Sequence, residues 1–390
     1  VPGRVLARVI DHIGLEDASE LIALATTDQL EQVFDEDLWR SSRPGRDEQF
    51  DAARFVLWLE VMLEAGETFT ANRLAELPED LIVSALHHHV LVVDLDEMAV
   101  EIEHEDGRDY IEKALDSHLH VELDHYRVLA RDSDGWDAIA AALLALDRDH
   151  HDVAIRLLDR CCALSGRDAE DNGGLYNVLT SEQMLAGDLE AARQDRRAAV
   201  GFIAPSSARA FLRGAATTDV EVARSQERDA ITRAYFRELE AEPLTAAPDA
   251  RPLLELLQAN GILEDAAPAT RALTSGPQHG LEAAFRDALL ACEARDPDSY
   301  QRRMAELAFL ANVLVAGADP GDRAFRPSEA AAAVLAACGV ALEHLSSMTR
   351  TAPATLVASE PADRLFRIGW RLLSERHGNA ARALATMVRI

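Results

Sequence analysis

Residues 15 to 39 carry the pattern that most restricts what this chain can fold into. Leu15, Ala18, Leu21, Ile22 and Ala25 recur at three- and four-residue steps, which gathers them on one face of a 3.6-residue helix. Thr26, followed three residues later by Gln29, has the form of a capping box, in which hydroxyl and amide satisfy N–H groups left free at a new helix start. Leu30, Val33 and Phe34 then supply a second apolar stripe, and Trp39 closes the unit as a packing anchor. Helices this short cannot bury their faces alone and must lean on neighbours in a stack.

The same rhythm returns at residues 76–92, where Pro78 suits a helix start and Leu81, Ile82, Ala85 and Leu86 make the stripe. Between the two lies a longer amphipathic helix with Phe55, Leu59, Met62 and Leu63 inward and Gly66 just past its end. Alanine and leucine dominate and aromatic residues are 5% of the chain, so local propensity also favours helix. The predicted fold is all-α: a superhelical stack of short helices followed by a C-terminal helical unit. One small β-hairpin is allowed at 90–107, where Val100, Ile102 and His104 alternate with acids before the turn pair Asp106-Gly107.

A chain of 390 residues, 48% of them apolar, outgrows one core. The polar loop near residue 166 and the proline-rich stretch 240–252 place the divisions, giving an N-terminal superhelix at 1–165, a middle helical segment at 166–242 and a C-terminal unit at 253–390. Residues 185–200 have the small-residue pattern of a single tetratricopeptide-like helix pair, with no second copy at that period.

With 68 acidic against 39 basic residues the formal charge is −29, which opposes general nucleic-acid binding and attraction to anionic membranes. Lys113 is the only lysine, so there is no phosphate loop of the G-x-x-x-x-G-K-[ST] type and one amine at most for Schiff-base chemistry. Cys161, Cys162, Cys292 and Cys338 form no C-x-x-C pair. No signal-peptide pattern opens the chain and no apolar run approaches the ~20 residues of a membrane span, so the expected location is the cytoplasm, without membrane insertion. No cofactor is expected.

The residues with chemical potential are few. His118, Glu122 and His125 stand at i, i+4 and i+7, which would place them on one helical face and includes a Glu-x-x-His step; Glu101 and His104 form another. His151-Asp152, some 26 residues after His125 and followed at a distance by Asp219, has the order of metal-dependent phosphohydrolases of the HD superfamily. The residues around that pair, however, are expected to run on as one unbroken helix. Together His118, Glu122, His125, His151 and Asp152 are the candidate metal set. Asn312 sits in an otherwise apolar helix, so it is expected to be buried and tied to a neighbouring helix, with Arg323, Arg326 and Glu329 extending the network.

GLEDASELIALATTDQLEQVFDEDLW, MAELAFLANVLVAG, FRPSEAAAAVLAACGVALEHL and ADRLFRIGW resemble a bacterial family known only as a domain of unknown function. The helix-break-helix rhythm of residues 15–93 is also similar, in pattern alone, to the cytosolic N-terminal superhelical domain of MgtE-type magnesium transporters. Neither resemblance carries catalytic residues. The functional expectation is a helical scaffold or regulatory protein, more a binding protein than an enzyme, that offers its surface to a protein partner. The alternative is an HD-like metal-dependent hydrolase built on the His/Asp/Glu set.

Overall fold

In a computed structural model of the chain, Thr26 caps α3 (Thr27–Asp37) as its spacing predicts: Gln29 N–H donates to Thr26 Oγ1 at 3.3 Å and Thr26 N–H to Gln29 Oε1 at 2.9 Å. The structure describes residues 2–41, 48–97, 118–170, 181–199, 201–225, 228–238, 251–260, 273, 280–318 and 325–388. They divide into two units, one of Val1–Arg40, Gln49–Arg193 and Leu244–Leu263, the other of Ser41–Glu48, Gln194–Pro243 and Glu264–Ile390. Both are mostly α-helical.

In the first unit, α1 (Gly3–Ile13) and the single turn α2 (Ser19–Ile22) precede α3. Leu15, Ala18, Ile22 and Ala25 are buried, but Leu21 is exposed: α2 is too short to wrap the whole predicted face inward. The two-residue strands β1 (Trp39–Arg40) and β2 (Gln49–Phe50) pair antiparallel and set the rings of Trp39 and Phe50 edge to face at 5.7 Å. Next come α4 (Ala52–Ala65), α5 (Glu67–Glu76) and α6 (Glu79–His89). Phe55, Leu59 and Met62 of α4 are buried, Leu63 is half-buried, and Gly66 ends the helix at φ 137°. Pro78 stands at the N-cap of α6, and Leu81, Ile82, Ala85 and Leu86 all face the core.

The β structure is where sequence and fold part. β3 (Val90–Asp94), β4 (His120–Leu123) and β5 (Tyr126–Ala130) form one antiparallel sheet in the order β3-β5-β4. The hairpin is therefore β4–β5, while β3 takes β5 as its partner; residues 98–107 of the expected hairpin lie outside the described residues. Helix α7 (Trp136–Glu170) follows, and it is not straight: His150, at φ −143° and ψ 56°, leaves helical geometry. No proline or glycine causes this break. Side chains at the break and just before it reach α5: His150 Nε2 lies 2.7 Å from Asn72 Oδ1 and Arg148 pairs with Glu67 at 2.8 Å. Residues 181–199 form one continuous helix, α8 (Ser181–Ala199), rather than a tetratricopeptide-like pair. Within the first unit its Arg193 donates to Asp35 O at 2.7 Å and lies 4.4 Å from the Trp39 ring.

The second unit contains α9 (Pro205–Thr217), α10 (Val220–Ser225) and α11 (Ala230–Glu238), whereas α12 (Arg251–Ala259) belongs to the first. Its main body is α13 (Leu281–Glu293), α14 (Pro297–Gly317), α15 (Pro327–Thr349), α16 (Pro353–Ser359) and α17 (Ala362–Val388) around fully buried Phe285, Phe309 and Phe366. Against expectation, α15 is long and apolar enough to cross a membrane, but 56% of its most apolar window is buried, the mark of a core helix. α15 and α17 meet backbone to backbone, since a Cβ on Gly369 would stand 1.8 Å from Ala337 O. Alanine normally strengthens a helix over glycine by about 1 kcal/mol. Here we expect Gly369→Ala to destabilise the second unit by about 1–3 kcal/mol, because the clash is with main chain that cannot step aside; chemical unfolding followed by the Trp370 signal would measure it, and a stabilised variant would contradict the close crossing.

Candidate functional site

The spacing of His118, Glu122 and His125 is realised on a β-hairpin, not on a helix. HLHVEL alternates polar and apolar residues, and that period of two prevailed over the i, i+4, i+7 match. His118 precedes β4 and His125 lies in the turn beyond its other end, so at about 3.3 Å per residue the two stand far apart. Leu123 and Tyr126 turn inward as their apolar character demands, while Leu119 remains exposed. Glu122 faces Arg127 across the ladder and is held by it in an ion pair.

At the hairpin turn Asp124 adopts φ 56°, a left-handed conformation that aspartate tolerates better than most residues. His125 Nδ1 lies 3.1 Å from Asp124 Oδ2 and its Nε2 3.7 Å from Asp94 Oδ2. Its ring sits 4.0 Å from that of Tyr126, whose hydroxyl donates to Asp159. Burial, reinforced by this carboxylate, pushes the Tyr126 hydroxyl well above its ordinary range, so it acts as a fixed donor at neutral pH. Cys162, half-buried nearby, is also shifted up by burial, and Cys161 is pushed up to about 12. Neither thiol is an activated nucleophile.

His151 is exposed and already engaged: its Nδ1 lies 2.7 Å from Asp147 Oδ1 one turn earlier. That hydrogen bond raises its pKa, with Asp124 of the hairpin turn and Asp152 adding smaller upward pulls. Asp152 is exposed, and its main-chain carbonyl accepts from Arg156 at 3.2 Å. His125 and His151 thus share an acidic neighbourhood, while Glu122 is engaged by Arg127. Among the described residues no group of three or more histidines, cysteines and carboxylates is placed to hold a metal ion. Glu101, His104 and Lys113 lie outside the described residues.

Asn312 corrects another expectation. It is exposed, because Ala311, Val313 and Leu314 take the buried face of α14 and leave position 312 outside. Its amide still donates to Gly201 O at 3.3 Å and reaches the Tyr235 hydroxyl. At the N-terminus of α15 the Arg326 main-chain N–H donates to Glu329 Oε2 at 3.1 Å instead of extending an Asn312 network; Arg323 lies outside the described residues.

The buried polar centre of the second unit lies elsewhere on the same helix. Glu306 is 1% exposed and receives Arg303 of its own helix, Arg228, and the Ala362 N–H at 2.8 Å. Beside it Asp363, fully buried, stands 3.6 Å from Arg367 one turn along α17. Burial pushes the Asp363 carboxyl up against the opposing pull of Arg367. Burial likewise raises the Cys338 thiol, which faces both acids. The sequence did contain a signal for this centre: Arg303 and Glu306 occupy the same stripe as Leu307, Leu310 and Leu314, and Asp363 and Arg367 flank Phe366. Charges on an apolar stripe must be paired if the stripe turns inward. Glu306 is met by its three donors, whereas Asp363 faces Arg367 at ion-pair distance without a hydrogen bond to it, and the arrangement joins α14 to α17.

Among the described residues of the first unit, several large apolar side chains remain in water, two groups of them on short helical segments. Leu253 and Leu256 of α12 are 44% and 60% exposed, and Leu24, in the turn after α2, is 83% exposed. Comparison with curated proteins and with solved structures gives no significant match. Residues 2–171, which hold the helical stack, the three-stranded sheet and α7, match the model of a family of unknown function, DUF6178.

Proposed function

We propose that the chain is a cytoplasmic helical scaffold or regulatory protein that binds a protein partner. The observation that carries this reading is α12. Arg251–Ala259 is a helix of only nine residues, and helices below about 12–15 residues are marginal in water unless packing supports them. Leu253, Leu256 and Leu257 fall at i, i+3 and i+4 on one face, yet Leu253 and Leu256 are largely exposed and Leu257 is half-buried. The ends are prepared for helix: Pro252 fits the first turn, and Asn260 returns its side-chain N–H to Leu256 O at 2.7 Å before Gly261. A preformed amphipathic helix with an open leucine face suits insertion into a partner's apolar groove, where leucines at this spacing act as anchors.

The test places a photo-reactive residue at the exposed Glu255 and irradiates cells that express the full chain. The expected result is a discrete adduct with a second polypeptide that disappears in the Leu253→Asp, Leu256→Asp double variant while the circular dichroism spectrum is unchanged. Adducts of equal yield in both forms, or none in either, would reject the docking role of α12.

A further inference from the structure

The N-terminal turn around Leu24 presents a separate apolar surface with a distinct electrostatic setting. Leu15, Ala18, Ile22 and Ala25 are consumed by the core, so what remains outside is Ile13 at 39%, Leu21 at 37% and Leu24 at 83% exposure, all within twelve residues of chain. Packing of the first unit gives no reason for a leucine at position 24, since its side chain is almost wholly in water. The charge carried by this stretch of chain is acidic, and the cation that reaches it, Arg73 at 2.8 Å from Thr27 Oγ1, is paired with Glu76. No lysine or arginine occurs between Arg8 and Arg40, and Asp11, Glu16, Asp17, Glu20 and Asp28 are all exposed. None of these five carboxylates forms an ion pair among the described residues, although other surface acids of the unit do, as Glu67 does with Arg148 and Glu79 with Arg156.

We infer that Leu21 and Leu24, one turn apart with the Leu24 N–H donating to Leu21 O at 3.1 Å, form a docking ledge for a partner segment that carries an apolar anchor flanked by arginine or lysine. This rests on the scaffold reading and deepens it by naming a surface and the chemistry of its occupant. An apolar side chain set on Leu24 removes its exposed surface from water, and basic flanks meet carboxylates that form no ion pair among the described residues. The acids steer the encounter and select the sign of the partner; the leucines supply the contact that holds it. A second copy of this chain is a poor occupant, because the same surface would bring like charges together.

The test selects short random peptides displayed on phage against the full-length chain, with counter-selection on the Leu24→Asp variant. Leu24→Asp adds a negative charge, so attraction by charge alone would strengthen, whereas a ledge would lose its anchor. At 83% exposure the substitution leaves the core untouched. We expect enriched peptides with one or two large apolar residues between basic ones, bound at least about tenfold more weakly by Leu24→Asp. They should also bind several-fold more weakly at about 0.5 M than at about 0.05 M salt, and this salt dependence should flatten in the Glu16→Gln, Asp17→Asn, Glu20→Gln variant. Peptides that bind Leu24→Asp equally well, enriched peptides without basic residues, or no enrichment each overturn the ledge. Such a failure alongside a specific adduct at α12 leaves the scaffold reading standing; failure of both removes it.

Discussion

Glu306→Ala should destabilise the second unit by about 3–5 kcal/mol, the usual effect of removing one partner from a buried charge cluster. Three donors converge on this carboxylate: the guanidinium groups of Arg303 and Arg228 and the main-chain N–H of Ala362. Arg303 is itself 5% exposed, so without Glu306 it becomes a buried cation with no other carboxylate one turn away on its own helix. The Ala362 N–H stands at the start of α17, where free N–H groups and the helix dipole favour a negative partner. The substitution therefore strikes an arginine and a helix terminus at once. Hydrogen exchange in α14 and α17 would report it, with protection lost there and retained in α4 and α6. Glu306→Gln keeps the acceptor for Ala362 but not the charge and should be less severe. Unchanged protection in Glu306→Ala would mean that the cluster does not hold these helices.

Trp58→Ala should cost the first unit about 3–5 kcal/mol, the range for truncating a large buried aromatic residue. Trp58 is fully buried, its ring meets Phe34 edge to face at 5.0 Å, and its Nε1–H donates to Asp37 Oδ2 at 2.6 Å. It joins α3 to α4 in two ways, by ring contact and by a hydrogen bond to a carboxylate that also accepts from Arg54 at 2.7 Å. Trp58→Phe keeps the ring contact and removes the hydrogen bond, so its smaller loss, set against that of alanine, separates packing from polarity. Urea denaturation followed by far-ultraviolet circular dichroism would measure both. A loss below about 1 kcal/mol in Trp58→Ala would contradict the burial.

Much of the first unit was legible because its signals are local. A capping box acts over four residues, so Thr26 and Gln29 could be assigned from spacing alone, and the inward stripes of α4 and α6 follow from helical periodicity. His118, Glu122 and His125 were misread because one short segment satisfied two periods. The sheet decided between them: β4 and β3 both pair with β5, and β3 lies some thirty residues earlier in sequence. The break at His150 is likewise set by Asn72 and Glu67 on another helix.

The sequence by itself determined the helical class, the caps and the acid excess, including a stretch from Arg8 to Arg40 with no lysine or arginine between them, since each depends on composition or on residues a few positions apart. Only tertiary structure decided which polar residues are enclosed. Asn312 and Glu306 lie on the same helix, six residues apart, yet Asn312 faces water and Glu306 is sealed beneath Arg303, Arg228 and the start of α17. The difference is one of rotation about the α14 axis, and that rotation is fixed by what packs against the helix: Phe211, from a distant part of the chain, meets Phe309 edge to face and stacks on Phe366, and this packing outweighs the preference of any single polar side chain.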